Sequence, residues 1–179
     1  VSVEVDLRRG IPVTEIVGLP AGEVKESRER VRSALRHCGF KYPSDRVLIN
    51  LAPAAVRKRG AAFDLAIAAA VLESSGQLSL PFPEDVLVLG ELRLDGTILP
   101  VSGALAALLT AHRHGLRHFF LPPENGDETT FFDDCAVLAV PDLRCLAHPV
   151  EAWEHPAALP RSDTRPAALA TGNASPSPC

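Results

Sequence analysis

Residues 58–76 read KRGAAFDLAIAAAVLESSG, and within them residues 63–74 predict a helix that is apolar on almost every side. A helix of that kind is buried in the centre of a domain. Asp64 lies near its N-terminus, where the positive end of the helix dipole stabilises a carboxylate, and Gly76 ends it. The other segments of the chain must therefore supply the layers that cover this helix.

Two strands, a helix and a third strand are predicted on the N-terminal side of the central helix. Alternating apolar and polar residues predict half-buried strands over residues 3–7 and 13–17, and residues 47–51 read as a short apolar strand. Residues 21–37 have helical periodicity, and Gly39 is placed to end that helix in a left-handed conformation.

The helix over residues 21–37 is amphipathic. Ser27 falls on its apolar face, whereas Arg30 falls on or toward the charged side. Arginines and glutamates alternate along that side, so we expect neighbouring pairs to balance most of the charge in solvent. These arginines and glutamates are Glu23, Glu26, Arg28, Glu29, Arg30, Arg32 and Arg36.

A hairpin, a helix and two strands are predicted on the C-terminal side. Residues 86–94 and 97–101 flank Asp95-Gly96, a strong hairpin signal. A helix over residues 103–114 and strands over residues 118–121 and 136–140 follow, and Asp142 is expected to cap a short final helix. Helices mixed with strands in this order, with one hairpin, indicate an α+β or α/β domain, which we interpret as α+β with two layers.

Composition limits the classes of function. The 179 residues are 46% hydrophobic and 22% charged, which is ordinary for a soluble globular protein. The formal net charge is −4, so nucleic acid could be bound only through a local basic patch. The sequence has no apolar run long enough to span a membrane. Its four cysteines form no CxxC pair, which indicates reduced thiols in a cytoplasmic protein.

The chain divides into two parts. Residues 1–154 contain the periodic segments and are interpreted as one domain. Residues 155–179 are rich in Pro, Ala and Ser, which predicts a disordered linker. The sequence contains no GxxxxGK[ST] loop, the segment whose backbone amides and lysine hold nucleotide phosphates, so we expect no cofactor in this chain.

Five segments together resemble one protein family. They read VEVDLRRGIP, EIVGLP, VKESRERVRSAL, INLAPAAVRKRGAAFDLAIA and VLGELRLDGTILPVSG, and they cover most of residues 3–121 in family order. In these segments the chain resembles the N-terminal domain of ComM/YifB-type, Mg-chelatase-related AAA+ proteins. The resemblance implies a Lon-protease-like fold of the ribosomal protein S5 domain 2 type. It also implies a following AAA+ ATPase module with its ATP and Mg²⁺, hexamers of the full-length protein, and DNA branch migration during natural transformation.

A second resemblance concerns peptidase chemistry. KRGAAFDLAIA is similar to the Lon segment that carries the nucleophilic serine, and GTILPVSGALAALLTAHRHGL is similar to the segment that carries the catalytic lysine. In this register the serine falls on Ala62 and the lysine on Leu105. A Ser–Lys dyad needs a hydroxyl to attack and an amine to accept its proton. A methyl and an isobutyl group supply neither, so we expect no catalytic residues and no peptidase activity.

The best candidates for a binding role are Arg57, Lys58 and Arg59. Three adjacent cations before a buried helix could contact phosphate, another subunit or only water. The family pattern has an acid followed by Gly-Pro at residues 59–61, where this chain has Arg-Gly-Ala, so the segment is more basic here.

Other polar residues offer weaker candidates. Ser74, Ser75 and Ser102 are conceivable nucleophiles, yet none lies in a GxSxG elbow, and capping or turn roles fit them better. We expect no metal site, because His112 and His114 lie about 200° apart around their helix at about 100° per residue.

These observations favour a non-catalytic assembly and interaction domain. Its expected partners are the AAA+ module of the same protein, other subunits of a homo-hexamer and, through the three cations, DNA; no membrane partner is expected. The alternatives are a hydrolase that uses an unrecognised nucleophile on the Lon-like scaffold and a peptide-binding module.

Overall fold

Three strands in the N-terminal half form the first sheet of the computed structural model, which describes residues 1–78 and 82–147. They are β1 (Ser2–Arg8), β2 (Val13–Val17) and β3 (Arg46–Ala52), with β3 in the centre. β1 runs antiparallel to β3 and β2 runs parallel to it. The parallel pair needs a crossover, which α1 (Gly22–His37) supplies.

The central helix is confirmed as α2 (Asp64–Ser74), which packs against β1 and α1. Leu65, Ile67 and Leu72 on this helix are fully buried. Gly39 and Gly76 follow α1 and α2 with φ values of 84° and 67°, the left-handed region that lets a glycine end a helix. The hydrophobic pattern thus predicted both helices and their ends.

A second, all-parallel sheet lies in the C-terminal half. It consists of β4 (Val86–Val88), β7 (His118–Leu121) and β8 (Ala136–Ala139), with β7 in the centre. The helix α3 (Ala104–Arg113) precedes β7, and its Leu108 packs in a small cluster with Phe119 and Phe132. The two phenyl rings meet edge to face, with centroids 5.5 Å apart. This mixed α+β architecture confirms the predicted fold class.

The prediction of one continuous strand over residues 86–94 is wrong. The segment is split into β4, in the parallel sheet, and β5 (Glu91–Leu92), which pairs with β6 (Ile98–Leu99) around the confirmed Asp95-Gly96 turn. The split occurs at Gly90, where an added Cβ would lie 2.6 Å from the Ile98 side chain and 3.2 Å from Leu65. The chain changes sheets where it crosses the start of α2 so closely that only glycine fits.

Two short 3₁₀ helices complete the described residues. Pro123–Thr129 was not predicted, and Leu143–Ala147 replaces the expected final helix. Asp142 accepts a hydrogen bond from the Arg144 backbone N–H at 2.8 Å, as its capping role requires. The predicted domain end at residue 154 and the predicted linker over 155–179 lie outside the described residues. No helix in the described ranges has the length and apolar character that a membrane span requires.

A buried ion pair corrects the predicted roles of Asp64 and Arg30. Asp64 is 0% exposed, and its carboxylate accepts hydrogen bonds from Arg30 Nε at 2.6 Å and from the Ser27 hydroxyl. The Leu92 backbone N–H donates to the same carboxylate at 3.2 Å. Asp64 therefore does more than face the dipole of its own helix. Arg30 does pair with the neighbouring Glu26, at 3.7 Å, but its shorter contact is with the buried Asp64. The Asp64 hydrogen bond raises the pKa of Arg30.

Replacing Asp64 with asparagine tests the ion pair. The amide keeps the size of the side chain but removes the buried counter-charge of the Arg30 guanidinium, which keeps only the exposed Glu26 at 3.7 Å. We therefore expect Asp64→Asn to lower the free energy of unfolding by about 3 kcal/mol. Urea unfolding followed by circular dichroism measures the change. Asp133→Asn, at an exposed aspartate, is the matched control. Equal stability of the two variants would contradict the structural role of Asp64.

Candidate functional site

The two positions that the Lon resemblance assigns to a Ser–Lys dyad lie at the starts of α2 and α3. Ala62 is half-buried two residues before α2, and its carbonyl accepts a hydrogen bond from the Gly90 N–H at 3.2 Å. Leu105 is the second residue of α3, and its backbone N–H donates to the Glu128 carboxylate. The Leu105 side chain is 36% exposed. Each position therefore has a defined backbone environment and a side chain that can neither attack a carbonyl nor accept a proton.

Lys58 does not belong to an exposed basic patch. Its side chain is 2% exposed, and the ammonium donates to the carbonyl oxygens of Gly18, at 2.8 Å, and Pro53. Of the three cations considered for phosphate, subunit or water contact, Lys58 is thus bound within its own chain, because carbonyls from two loops replace the water around its charge.

Lys58 joins those two loops through its backbone as well. Its N–H donates to the Leu19 carbonyl at 3.2 Å, and its own carbonyl accepts from the Ala21 N–H at 2.9 Å. One loop connects β2 to α1 and the other connects β3 to α2. The segment that precedes Ala62 is therefore held against the N-terminus of α1.

The loop between β2 and α1 has an unusual backbone. Leu19 has a φ of 55°, a left-handed conformation that costs a non-glycine residue about 1–2 kcal/mol. A Cβ at the preceding Gly18 would lie 2.0 Å from the Leu51 carbonyl oxygen, so only glycine can lie there. This conformation leaves the Leu19 side chain 57% exposed.

Arg57 and Arg59 remain exposed on either side of the buried lysine. Neither forms an ion pair or a side-chain hydrogen bond with another residue of the described ranges. Three exposed apolar side chains belong to the same two loops and the end of β2. We call the whole set the arginine surface, and it comprises Val17, Leu19, Val56, Arg57 and Arg59.

The candidate serine nucleophiles have no base beside them within the described part of the chain. Ser74 Oγ donates to the Val5 carbonyl at 3.3 Å, and Ser75 Oγ donates to the Leu72 carbonyl at 3.2 Å. Ser102 is exposed in the turn before α3, and no imidazole or amine of the described residues is hydrogen-bonded to it. Ser75 at the end of α2 and Ser102 in its turn match the roles predicted from the sequence, whereas Ser74 instead joins α2 to β1.

A cluster that sequence reasoning missed lies at the C-terminal end of α3. His112 Nε2 lies 2.9 Å from one oxygen of Asp134, the Cys135 sulfur lies 3.6 Å from the same oxygen, and Arg117 Nε lies 3.2 Å from the other. The potential ligand atoms of His112, Asp134 and Cys135 lie within 4.8 Å of one another. The adjacent residues Asp133-Asp134-Cys135 are the part of the cluster that the sequence could indicate, because His112 lies more than twenty positions away from them.

The charges of this cluster favour an ion-pair network over a cation site. Arg117 already neutralises Asp134, and the hydrogen bond from His112 lowers the pKa of that carboxyl. Burial, with the nearby Asp134 charge, raises the pKa of the Cys135 thiol to about 11. A metal would need the thiolate and would meet the guanidinium at short range. The absence of a metal site stays a prediction.

Lys58→Met is expected to destabilise the chain, because it leaves the Gly18 and Pro53 carbonyls without their donor. We expect the free energy of unfolding to fall by about 2 kcal/mol. Arg57→Met and Arg59→Met are matched controls with exposed side chains, and each should change stability by less than about 0.5 kcal/mol. Urea titration compares the three variants. If all three behaved alike, Lys58 would be an ordinary surface cation.

Cys135 is expected to react slowly with iodoacetamide, because only the thiolate attacks. A pKa of about 11 in place of 9.0 leaves about 100-fold less thiolate near neutral pH. The rate, followed by mass spectrometry, should rise about tenfold per pH unit between about pH 7 and 9. Asp134→Asn should accelerate labelling, and unfolding in urea should restore the ordinary rate. Equal rates in folded and unfolded chain would contradict the raised pKa.

Comparison with known proteins supports the resemblance found in the sequence. Residues 3–125 match the family model of subunit ChlI of Mg-chelatase. The chain is 37% identical to YifB of Escherichia coli over 146 residues and 40% identical to the competence protein ComM of Haemophilus influenzae over 134 residues. These alignments cover 82% and 75% of this chain, but only 29% and 26% of the relatives.

A more distant relative bears on the fold. The chain is 33% identical over 134 residues to a Lon protease of Syntrophomonas wolfei, an alignment that covers 69% of this chain and 16% of that protein. This likeness and the mixed α+β architecture agree with the predicted Lon-like fold. With its family match over residues 3–125 and its YifB and ComM relatives, the chain belongs to the family of subunit ChlI of Mg-chelatase.

Proposed function

We propose that this chain is a non-catalytic assembly and interaction domain of a Mg-chelatase-family AAA+ ATPase. The observation that carries the proposal is the pair of hydrocarbon side chains, Ala62 and Leu105, at the positions that the Lon resemblance assigns to serine and lysine. Polar contacts fix the backbone beside both positions, so the scaffold around the lost dyad is ordered. A domain that keeps its scaffold without the chemistry is suited to holding other parts of a protein.

The proposed partners are the AAA+ module of the same protein and other copies of the chain. The chain spans less than a third of the length of YifB and ComM, which leaves most of such a protein for an ATPase module. That module would bind ATP and Mg²⁺, since this chain has no phosphate-binding loop. We also assign the whole protein a role in DNA branch migration, as the resemblance to ComM/YifB-type proteins implies, and place it in the cytoplasm because its cysteines have no CxxC pairing.

The arginine surface is the best described candidate for contact with such partners. It combines two exposed, unpaired cations with exposed apolar side chains at the loop that leads to Ala62. The rest of the chain contributes a net negative charge, which disfavours broad contact with a nucleic acid backbone. Protein contact is therefore the first interpretation of this surface, and DNA contact is the second.

The hydrolase alternative has less support. It requires a nucleophile with a base within hydrogen-bond reach. Ser74 and Ser75 donate to backbone carbonyls, and Ser102 has no imidazole or amine bonded to it among the described residues. The peptide-binding alternative keeps the same scaffold and differs from our proposal only in its partner.

The proposal is tested by removing the domain from the full-length protein. We expect deletion to impair ring assembly, measured by native mass spectrometry, and to alter the stimulation of ATPase activity by DNA. The isolated chain should show no peptidase activity and no labelling by a serine-directed fluorophosphonate, with catalytically competent Lon as the positive control. Unchanged assembly and stimulation would refute the assembly role. Labelling at Ser74 or Ser102 that is lost on unfolding would favour the hydrolase instead.

A further inference from the structure

A second exposed surface, opposite in charge to the arginine surface, lies along α3. The segment after β7 runs beside this helix and is fixed to it at two points. Glu128 accepts from the Leu105 N–H near the start of α3, and Asp134 bonds His112 near its end. The residues between these points therefore lie next to the face of α3 that carries Leu105 and Leu109.

Phe131 is the most exposed of the large apolar side chains in this segment. It is 73% exposed, whereas its neighbour Phe132 is 5% exposed and packs in the core. Leu105 and Leu109, one turn apart on α3, are 36% and 43% exposed. Three large apolar side chains in one region are more than the scattered single residues that a solvated surface normally shows.

Acidic residues precede and follow Phe131 along this segment. Glu124, Asp127 and Asp133 are exposed, and none of them forms an ion pair within the described ranges. We call this set the acidic surface, and it comprises Leu105, Leu109, Glu124, Asp127, Phe131 and Asp133. Each of the two surfaces thus has three exposed apolar side chains beside unpaired charges. The net charges are of opposite sign, although the exposed Arg113, one turn past Leu109 on α3, adds a single cation at the edge of the acidic surface.

We propose that the acidic surface of one copy of this chain docks on the arginine surface of a second copy. The inference rests on the assembly function proposed above and names its contact. Arg57 and Arg59 form no ion pair with any described acid of their own chain, so their charges are available to another molecule. Complementary charge sets the register of such a contact, and burial of the apolar side chains stabilises it.

The contact is head to tail, because each copy contributes two different surfaces. A head-to-tail contact repeats from copy to copy and produces either a closed ring or an open filament. DNA fits the pair of surfaces less well, since a polyanion that approached the arginine surface would gain only two exposed cations there and would be repelled by the acidic surface. A second copy of the chain satisfies both surfaces at once.

Charge reversal on each surface tests the contact. The first variant combines Arg57→Glu with Arg59→Glu, and the second combines Glu124→Lys, Asp127→Lys and Asp133→Lys. Sedimentation velocity of the chain, from micromolar to millimolar concentration in low salt, should show association for the wild type that weakens as salt is added. Each variant alone should sediment as a monomer. An equal mixture of the two should associate. The negative, reversed arginine surface of the first variant then meets the positive, reversed acidic surface of the second, and their two unaltered surfaces also have opposite charges.

Two controls separate the contact from general effects of charge. Arg9→Glu combined with Arg36→Glu changes the net charge by the same amount as the first variant, at exposed arginines outside both surfaces, and should associate like the wild type. Phe131→Ala removes an exposed side chain without altering charge, and should weaken association at least tenfold while leaving the unfolding curve unchanged.

Three outcomes would overturn the contact: a wild-type chain that stays monomeric at every concentration, a mixture that fails to associate, or association that requires added duplex DNA. The proposed function would fail differently, since its own test is the assembly of the full-length protein with and without the domain. A monomeric chain together with an assembly defect on deletion would refute this contact and leave the assembly role supported.

Discussion

The ion pair between Asp64 and Arg30 is the constraint on which the rest of the structure depends. One buried carboxylate is bonded to two side chains of α1 and to the backbone of β5, while it belongs to the first turn of α2. A buried charge is costly unless every one of these partners is in place. The pair therefore requires a single relative position of two helices and a hairpin, which apolar packing alone would define less sharply. The ion pair therefore fixes the position of the first turn of α2, two residues after Ala62.

The sequence predicted those features that depend on periodicity or on local turn chemistry. The apolar run of α2, the glycine ends of α1 and α2 and the Asp95-Gly96 turn all follow from interactions within a few residues of one another. The break at Gly90 could not be predicted this way, because it results from contact with Ile98 and Leu65 in other elements. The Asp64–Arg30 pair joins residues 34 positions apart, and nothing in the pattern of α1 separates Arg30 from its charged neighbours.

The three consecutive cations at the candidate site show the same limit of prediction from the sequence. Arg57, Lys58 and Arg59 are equivalent in a count of charge, yet the middle one is a buried connector between two loops and the outer two are exposed. Alternation along an extended segment places neighbouring side chains on opposite sides. Which side faces protein depended on the carbonyls of Gly18 and Pro53, and these become visible only once the loops are placed. The pattern of exposed residues, rather than the number of basic residues, is what defines the arginine surface.

The exposure of Leu105 also decides which side chains the start of α3 can accommodate. A lysine in place of Leu105 would keep its ammonium in water and would cost the fold little. A serine in place of Ala62 would add only one hydroxyl group. Neither replacement alone could restore peptide cleavage, because nucleophile and base act as a unit. The exposed start of α3 has room for a lysine at position 105, so a cleaving variant would need that lysine and a serine at position 62 together.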